Sequence, residues 1–449
     1  MTPGLIVAAP ASGSGKTLFT LGLLRHLASS GVAVASAKTG PDYIDPAFHA
    51  AASGRPCLNL DPWAMRPETL AAAARALTAN TEVIVCEGVM GLFDGATVTE
   101  GSTADLAEIT GWPVVLVMDV RAQAASAAAV LRGFATHRPG VRVAGVVFNR
   151  VGGERHTDIL REACALAVPE IPVIGWLPRE QSLALPERHL GLVQALEHPD
   201  LEAFLEHAAG MIGRHIDVAA LRRLAVPERG GAVASSCAPI RPIGQRIAVA
   251  EDAAFAFSYP LVIEGWRTAG AEVLPFSPLA NAAPAADADA IYLPGGYPEL
   301  HAGRLAANDR FMEGLRASAA RGATGGATVF GECGGYMVLG EGLVDGDGVR
   351  HRMSGLLPLE TSFADRRLHL GYRRVTLEAD CPLGPAGSYL RGHEFHYATI
   401  VREGPGQPLF RCANAGGHDL GEAGRVAGRV MGSFVHLIDA EAAASVGLA

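Results

Sequence analysis

Short apolar runs that alternate with helical patterns constrain the fold of this chain more than any other feature. Six of them occur in its N-terminal part, at positions 5–9, 32–37, 83–87, 113–119, 141–148 and 172–176. Apolar runs of this length are typical of strands that are buried on both faces of a sheet. Strand and helix in regular alternation predict a doubly wound parallel sheet, whose ligands bind at the carboxyl ends of the strands.

A second set of strands predicts a second α/β domain. These strands are expected at 247–250, 272–276, 290–293, 328–330, 392–400 and 429–435, and a helix is expected at 261–269. A segment rich in Pro, Gly and Ser, 226–242, lies between the two sets and is typical of a linker. We therefore expect one domain at 1–200, a helical segment and linker at 201–244, and another domain at 245–449.

Composition narrows the class of partner. The 449 residues carry a net charge of -9 and have a pI near 5.9, which provides no basic field for nucleic acid or for an anionic membrane surface. No basic segment precedes the N-terminal apolar strand, and the longest apolar runs, such as 112–118, are too short to cross a bilayer. Seven cysteines without zinc-type spacing indicate reduced thiols. We expect a cytoplasmic protein that acts on a small molecule, with no nucleic-acid or membrane partner.

A glycine-rich loop follows the first predicted strand. Residues 12–17 read Ser-Gly-Ser-Gly-Lys-Thr and open a helix, although Pro10 stands where the usual phosphate loop has its first glycine. Glycines let backbone N–H groups turn toward phosphate, a lysine reaches the β and γ oxygens, and a threonine hydroxyl suits magnesium. The loop therefore predicts ATP binding by Gly13, Ser14, Gly15, Lys16 and Thr17, with Thr17 also a magnesium ligand.

Lysine is nearly absent from the chain. Only Lys16 and Lys38 are lysines among the 37 Lys and Arg residues, and Lys38 follows the second predicted strand. A compact ammonium can reach between phosphate oxygens in a way that a broad guanidinium cannot. We expect Lys38 to contact ATP, and chance retention of a lysine is the alternative.

Polar residues at the ends of three predicted strands extend this site. Asp42 and Asp45 lie in the loop after the second strand, where they either hold magnesium or cap a turn. Glu87 ends the third apolar run, a position that suits a second magnesium ligand. Asn149 follows a later strand and either reads an adenine edge or caps a turn.

A cysteine in a glycine-rich turn predicts a nucleophile in the second domain. Residues 331–335 read Gly-Glu-Cys-Gly-Gly, follow a short β-rich run and precede a helix. Flanking glycines permit the strained turn of a nucleophile elbow, and a helix N-terminus favours a thiolate. We expect Cys333 to be this nucleophile, and a buried structural cysteine is the alternative.

A nucleophilic thiol needs a base and an oxyanion site. The candidate bases downstream are His351, His369, His393, His396, His418 and His436. His436 lies at the end of a late strand, whereas Glu394 and His396 share one face of another, which suits substrate binding as well as catalysis. The turn at 293–299, which contains Gly296, either offers backbone N–H groups to an oxyanion or is a plain type II turn.

Seven segments together resemble one family. They are SGSGKT, KTGPDYIDP, CEGVMGLFDG, LPGGYPEL, FGECGGYM, RGHEFHY and GSFVHL, and they cover both predicted domains. The whole chain resembles the cobyrinate or hydrogenobyrinate a,c-diamide synthases of cobalamin biosynthesis. The resemblance implies an N-terminal ATP-binding amidoligase domain, a P-loop doubly wound parallel sheet like that of dethiobiotin synthetase. It also implies a C-terminal class I glutamine amidotransferase α/β domain.

The resemblance implies roles for the site residues. Cys333 would be the glutaminase nucleophile and His436 its base, with Gly296 near the oxyanion. ATP and Mg²⁺ would be served by Lys16, Thr17, Asp45 and Glu87. The corrinoid carboxylates or an acyl phosphate would face Asp42, Tyr43 and Asp94. ATP and L-glutamine would be the co-substrates of a reaction that amidates the a and c acetate groups.

The chain departs from many class I glutaminases at one position. These enzymes carry a glutamate two residues after the catalytic histidine, and Ile438 stands at that position here. The cobyrinate-type branch that the chain resembles also lacks this glutamate. Asp439 is the neighbouring carboxylate in the sequence. The third member of the thiol site is left open by the sequence.

Three alternatives remain beside this function. Cobyric acid synthases amidate other carboxylates, and by resemblance the KTGPDYIDP loop favours a,c-diamidation over that activity. The sequence does not distinguish the chain from nickel-sirohydrochlorin a,c-diamide synthases. A ParA- or MinD-like ATPase switch would carry a second lysine five residues before Lys16, where Ala11 stands, and would lack a thiol domain. Whether the ring holds cobalt, and whether the protein is a homodimer, is left open.

Overall fold

The computed structural model of the chain describes residues 2–180, 187–188, 191–192, 194–198, 200–229, 238–320 and 326–441. Its contacts separate into two units. Unit 1 comprises Met1–Trp63 and Leu70–Ala234, and unit 2 comprises Ala64–Thr69 and Ser235–Ala449. The short piece Ala64–Thr69 thus belongs to unit 2, although its chain neighbours belong to unit 1. Residues 230–237 of the predicted linker lie outside the described residues.

Unit 1 is built on a parallel sheet. Its strands are β1 (Pro3–Ala8), β2 (Val34–Thr39), β3 (Cys57–Leu60), β4 (Val83–Glu87), β5 (Val114–Asp119), β6 (Val143–Val151), β7 (Val173–Pro178), β8 (Glu187–Arg188), β9 (Gly191–Leu192) and β10 (Val226–Pro227). Parallel strands lie in the order β3-β2-β4-β1-β5-β6-β7. The short β10 pairs antiparallel with β1, and β8 pairs with β9.

Helices connect the parallel strands of unit 1. They are α1 (Lys16–Ser29), α2 (Asp45–Ser53), α3 (Pro67–Ala76), α4 (Thr103–Thr110), α5 (Ser126–Thr136), α6 (Glu154–Ala167), α7 (Leu201–His215) and α8 (Val218–Leu224). The predicted doubly wound parallel sheet is confirmed, and all six predicted strands are present. β3 was not predicted, because Asn59 interrupts the apolar character of this short strand.

The sheet of unit 1 brings three loops to one edge. In parallel strands the carboxyl ends lie on the same side, and β4 lies between β2 and β1. The loop after β1 leads into α1, and the loop after β2 leads into α2. The phosphate-type loop, Lys38 and Glu87 are therefore placed together by the strand order.

Unit 2 contains a second, mostly parallel sheet. Its strands are β11 (Arg246–Ala250), β12 (Glu272–Phe276), β13 (Ala290–Leu293), β14 (Thr328–Glu332), β15 (Gly342–Val344), β16 (Arg350–Arg352), β17 (Leu359–Ser362), β18 (His369–Leu377), β19 (Tyr389–His396), β20 (Thr399–Glu403), β21 (Phe410–Asn414), β22 (Asp419–Ala423), β23 (Arg425–Ala427), β24 (Val430–Ser433) and β25 (Val435–Ala440). The sheet has the order β12-β11-β13-β14-β24-β23, in which β23 is antiparallel. Its helices are α9 (Pro260–Thr268), α10 (Ala302–Ala307), α11 (Asp309–Ala320) and α12 (Gly334–Leu339).

Two smaller sheets complete unit 2 and correct two predictions. One has the order β22-β21-β18-β19-β25, and the other has the order β16-β15-β17-β20. The strand predicted at 392–400 is wrong, because β19 ends at His396 and β20 then pairs in the other sheet. The strand predicted at 429–435 likewise combines β24 with the start of β25. Both errors arise because pairing partners, which are distant in sequence, decide where a strand ends.

In the part of the chain that the structure describes, none of the helices is both long enough and apolar enough to cross a bilayer.

Helix α6 offers a matched test of core packing in unit 1. Leu160 is 1% exposed and Leu166 is 79% exposed on the same helix. We expect Leu160→Ala to lower the free energy of unfolding by about 2 to 5 kcal/mol, because it leaves a cavity, and Leu166→Ala to change it by less than about 0.5 kcal/mol. Urea unfolding followed by circular dichroism measures both. Equal destabilisation by the two variants would contradict this packing.

Candidate active site

The loop between β1 and α1 has the backbone of a phosphate cradle. Gly13 and Gly15 adopt positive φ values of 75° and 93°, a region that glycine occupies without strain. A Cβ on Gly15 would lie 2.1 Å from Asn149 Nδ2, so this position also needs glycine for space. The Ser14 hydroxyl donates to the Ala11 carbonyl at 2.8 Å, which closes the turn. Helix α1 then begins at Lys16 with its N–H groups directed to the loop.

Lys16 and Thr17 start the helix and reach the end of β4. The Lys16 Nζ donates to the Met90 carbonyl at 2.5 Å, and the Thr17 hydroxyl donates to Glu87 Oε1 at 2.7 Å. Burial lowers the pKa of Lys16 to about 8, against the attraction of Glu87. Asp94 is exposed and accepts from the Gly91 N–H at 2.9 Å. The sequence placed these residues in one site, and the structure brings them together.

Lys38 is held between two carboxylates. Its Nζ lies 2.6 Å from Asp45 Oδ2 and 2.9 Å from Glu87 Oε1, and its side chain is almost fully buried. Asp45 and Glu87 are the two carboxylates predicted to bind magnesium. The two carboxylates and the Thr17 hydroxyl provide the oxygen ligands that a magnesium ion prefers. The Lys38 ammonium is the positive charge that contacts both carboxylates.

Burial and pairing shift the pKa values of this cluster in opposite directions. Burial would lower the pKa of Lys38, but Asp45 and Glu87 raise it well above its ordinary value. Burial would raise the pKa of Glu87, but Lys38 and His49 lower it strongly. The pKa of Asp45 rises to about 7 through burial and the neighbouring Asp42. Lys38 and Glu87 are therefore a charged pair, as buried charges require.

His49 is a site residue that the sequence analysis missed. Its Nε2 lies 2.7 Å from Glu87 Oε2, and its Nδ1 lies 3.5 Å from the Cys57 sulfur. Burial would lower its pKa, but Cys57 and Glu87 raise it to about 10. The signal was the spacing of four residues from Asp45, which puts both side chains on one face of α2. His49 contacts Glu87 Oε2, whereas Lys38 and Thr17 contact Oε1.

The remaining predicted residues of unit 1 hold the loops. Asp42 Oδ1 accepts from the N–H groups of Ile44 and Asp45 at 2.8 and 3.1 Å, so Asp42 caps the turn into α2. Asn149 donates from Nδ2 to the Ser14 carbonyl at 2.9 Å and so supports the phosphate-type loop. Tyr43 is buried in the same segment as Asp42. Contacts of Tyr43, Asp42 and Asn149 with substrates stay predictions.

Cys333 has the geometry of a nucleophile elbow. It directly follows β14 and directly precedes α12. Its φ of 46° and ψ of -103° form a conformation that a residue with a side chain rarely adopts. A Cβ on Gly335 would lie 1.9 Å from the Leu293 carbonyl oxygen, which explains one flanking glycine. The Cys333 N–H donates to the Ser433 carbonyl at 2.8 Å and fixes the turn to β24.

His436 faces the thiol across Gly295. A Cβ on Gly295 would lie 2.3 Å from His436 Cε1, 3.1 Å from His436 Nε2 and 3.3 Å from Cys333 Cβ. Burial raises the pKa of the Cys333 thiol, with the Glu299 charge adding to the effect. Burial lowers the pKa of His436 to about 3, with His393 and His396 adding to it. The resting pair is therefore a neutral thiol and a neutral imidazole.

Gly296 lies beside the nucleophile, as its predicted oxyanion role requires. A Cβ on Gly334 would lie 3.0 Å from the Gly296 nitrogen. A Cβ on Gly296 itself would lie 2.0 Å from the Ala254 carbonyl oxygen, so only glycine fits there. The Gly296 N–H can thus approach an oxyanion that forms on a substrate bound at Cys333.

A charged group lies behind His436. Glu394 Oε1 lies 2.8 Å from His396 Nε2, and Glu394 Oε2 lies 2.6 Å from Arg373 Nε. The donor atoms of His369, Glu394 and His396 lie within 4.8 Å of one another. Arg373 and His396 both pair with Glu394, so these side chains form an ion-pair network. Burial would raise the pKa of Glu394, but His396 and Arg373 lower it.

The other candidate bases lie elsewhere. His351 pairs with Asp345 at 2.7 Å, and His418 is exposed. His393 is the cross-strand partner of His436 between β19 and β25, whereas the groups next to Gly295 are His436 and Cys333. The structure therefore favours His436 among the six histidines.

Two acids near His436 differ in what they contact. Asp439 accepts from the backbone N–H and both Nε and Nη2 of Arg66, at 2.8, 3.0 and 2.7 Å, so its carboxylate is engaged away from the thiol. Glu332 is buried, and its Oε2 lies 4.0 Å from His436 Nδ1. Ile438, at the position of the usual glutamate, is 1% exposed. Glu332 is part of the predicted GECGG turn but was given no role by the sequence.

Comparison with known proteins matches both halves of the chain. Residues 5–193 match the model of the CobQ/CobB/MinD/ParA nucleotide binding domain, and residues 246–444 match that of the CobB/CobQ-like glutamine amidotransferase domain. The chain is 57% identical to a hydrogenobyrinate a,c-diamide synthase of Brucella anthropi, over 97% of this chain and 98% of that protein. Proteins of the same name from Sinorhizobium and Mesorhizobium japonicum are 54% and 51% identical, over 98% and 97% of this chain and 100% and 98% of those proteins. The chain belongs to the hydrogenobyrinate a,c-diamide synthase family.

Membership of the hydrogenobyrinate a,c-diamide synthase family accounts for the presence of two sites. The nucleotide-binding match covers the Lys16, Lys38 and Glu87 cluster, and the amidotransferase match covers Cys333 and His436. The family resemblance drawn from the sequence motifs is confirmed.

His393 gives a pH prediction for unit 2. Burial lowers its pKa to about 3, with Arg373 adding to the effect, whereas the unfolded chain binds a proton below about pH 6.5. The folded state thus binds fewer protons, and stability is lost as the pH falls from about 6.5 toward 3. The free energy of unfolding of His393→Asn should therefore fall less steeply with falling pH than that of the wild type, by up to about 1.4 kcal/mol per pH unit. Urea unfolding at several pH values measures this difference. His418→Asn, at an exposed position, is the control, and equal pH sensitivity of both variants would contradict the expectation.

Proposed function

We propose that the chain is an ATP- and glutamine-dependent synthase that amidates the a and c acetate carboxylates of hydrogenobyrinate or cobyrinate. The observation that carries this proposal is that the chain is 57% identical, over 97% of its length, to a relative named hydrogenobyrinate a,c-diamide synthase. The two sites support it, because one suits phosphate and a divalent cation and the other suits a thiol nucleophile. The domains are proposed to be an amidoligase at 1–200, a helical segment and linker at 201–244, and a glutaminase at 245–449.

The glutaminase half-reaction uses Cys333 and His436. The Cys333 sulfur attacks the side-chain carbonyl carbon of glutamine while His436 takes the thiol proton and passes it to the leaving ammonia. The Gly296 N–H stabilises the oxyanion of the tetrahedral intermediate. Water then hydrolyses the thioester and regenerates the thiol. A neutral thiol and imidazole suit this sequence, because charge forms only when substrate is bound.

The ligase half-reaction uses the cluster of unit 1. A substrate carboxylate oxygen attacks the γ-phosphorus of ATP, ADP leaves, and an acyl phosphate forms. Ammonia then attacks the acyl carbon and phosphate leaves. Lys16, Lys38 and the N–H groups of Gly13, Ser14 and Gly15 hold the phosphates, Asn149 supports their loop, and Asp42, Tyr43 and Asp94 face the corrinoid carboxylates. Mg²⁺, when bound by Thr17, Asp45 and Glu87, neutralises phosphate charge.

Location and assembly are part of the same proposal. The six cysteines that the structure describes are free thiols, which supports a reducing compartment and hence the cytoplasm. Assembly as a homodimer, which the sequence left open, is left open in this proposal as well.

The substrate is tested by product mass. The protein is incubated with ATP, magnesium and glutamine, and separately with hydrogenobyrinate, cobyrinate, nickel-sirohydrochlorin and a,c-diamidated corrinoid. Two amidations of hydrogenobyrinate or cobyrinate are expected. Reaction with nickel-sirohydrochlorin alone would assign the alternative a,c-diamide synthase, and reaction only with the diamide would assign a cobyric acid synthase. No mass change with any corrinoid would reject the proposal.

Cys333→Ala separates the two half-reactions. The variant is expected to lose glutamine-dependent amidation by more than about 10³-fold, since nucleophile removal is among the largest catalytic losses, and to keep amidation with added ammonia. Cys381→Ala, at a partly buried position outside the site, is the control. Loss of both activities in Cys333→Ala would contradict the two-site scheme.

Lys38→Met tests the cation site of unit 1. Removal of the ammonium leaves Asp45 and Glu87 facing each other, and breaking a buried pair costs about 3 to 5 kcal/mol. We expect a lower melting temperature without magnesium and a larger rise on adding Mg²⁺ than in the wild type, since the ion replaces the lost charge. Lys16→Met removes an ammonium that contacts the Met90 carbonyl and is the control. Equal stabilisation of wild type and Lys38→Met by Mg²⁺ would refute the assignment of these ligands.

A further inference from the structure

The acid that orients His436 is missing from its usual position but present in the nucleophile turn. We propose that Glu332, the residue before Cys333, is the positioning residue of His436 and the third member of the glutaminase site. The proposal rests on the proposed function, in which Cys333 is the nucleophile and His436 its base. It replaces the glutamate that would stand at Ile438.

The two nitrogens of His436 face different groups. Nδ1 lies 4.0 Å from Glu332 Oε2. Nε2 and Cε1 lie on the side of Gly295, where the Cys333 Cβ is also found. A carboxylate on the Nδ1 side keeps the proton on Nδ1 and leaves Nε2 as the base toward the thiol, which is the arrangement that proton transfer requires.

Glu332 is fixed in place by two donors. Its Oε1 accepts from the Leu437 N–H at 3.0 Å, and its Oε2 accepts from the Tyr292 hydroxyl at 2.6 Å. The first donor belongs to the residue directly after His436, so strand β25 itself holds the carboxylate beside the imidazole. β14 also pairs with β24 at Glu332 and Ser433, which fixes the register of the two strands. These contacts satisfy the buried carboxylate and keep it beside the imidazole.

The other acids around the site are engaged elsewhere. Glu394 pairs with His396 and Arg373, and Asp439 pairs with Arg66. Besides burial, Glu299 and Glu332 both raise the pKa of the Cys333 thiol through their charges. Neither is among the groups that shift the pKa of His436, where Glu394 is the acid that acts, so Glu332 is distinguished by its position 4.0 Å from Nδ1. The titratable and charged groups that face His436 are Cys333, Glu332, Glu394, His393 and His396.

The distance of 4.0 Å is longer than a hydrogen bond. Catalytic hydrogen bonds are often long in free enzymes and tighten when substrate binds. Proton transfer from Cys333 turns His436 into a cation, and a buried carboxylate then attracts it. Burial also raises the pKa of Glu332 to about 7, against the Tyr292 hydrogen bond. Protonation of Glu332 therefore falls in an accessible pH range and should appear in the pH profile of glutamine hydrolysis.

The test compares Glu332→Gln, Glu332→Asp and the control Glu341→Gln, at a half-buried position outside the site where the side chain pairs with Arg402. In Glu332→Gln, kcat for glutamine hydrolysis is expected to fall at least about tenfold with KM nearly unchanged, since a positioning group acts on the chemical step. The wild-type rise of kcat/KM with pH through about pH 7 should be absent in Glu332→Gln and retained in Glu332→Asp. Amidation with added ammonia should not change. If Glu332→Gln does not fold, Glu332→Asp alone tests the proposal. A Glu332→Asp variant with unchanged kcat, but without the rise of kcat/KM with pH through about pH 7, would overturn it.

Cys333→Ala in the same series separates the two levels of inference. If Cys333→Ala still hydrolyses glutamine, the proposed glutaminase site is wrong. If Cys333→Ala is inactive and Glu332→Gln has the wild-type kcat and pH profile, the proposed function stands and the role of Glu332 is rejected. If kcat and KM of Glu332→Gln change together with a fall in melting temperature, the residue is structural and the proposal is rejected as well.

Discussion

The pairing of Lys38 with Asp45 and Glu87 is the interaction on which the unit 1 site depends. Strands β2 and β4 deliver Lys38 and Glu87, and the start of α2 delivers Asp45, to one buried place where an uncompensated charge would be very costly. Each charge is therefore paired with an opposite one. Thr17 and His49 form further hydrogen bonds with the carboxylate oxygens of Glu87. A site built in this way is charged before any ligand arrives, so it suits ligands that bring both phosphate and a cation.

In the thiol site of unit 2, the thiol and the imidazole are instead neutral. Cys333 and His436 are as deeply buried as Lys38, but burial raises the pKa of the thiol and lowers that of the imidazole. Their neutral state costs little desolvation, and charge forms only during the reaction. The contrast fits the proposed roles, in which one site stabilises phosphates that are always charged and the other stabilises a thiolate that exists briefly.

The sequence predicted what local patterns encode. Apolar runs predicted the strands that bring Lys16, Lys38 and Glu87 together, and glycine spacing predicted the strained turn at Cys333. His49 could not be assigned, because its partners Glu87 and Cys57 come from strands that only the folded sheet makes neighbours. The break between His396 and Thr399 was missed for the same reason: β19 and β20 pair with different sheets, which no local pattern shows.

The position of the acid also explains why β25 can be used for other contacts. With Glu332 in the nucleophile turn, the residues after His436 need not provide a catalytic carboxylate. Ile438 packs into the core, and Asp439 is free to bind Arg66 through three hydrogen bonds. Arg66 belongs to the piece Ala64–Thr69, which joins unit 2 although its chain neighbours lie in unit 1. In the proposed site, one strand carries the base and also anchors a distant segment, while the acid comes from a different strand.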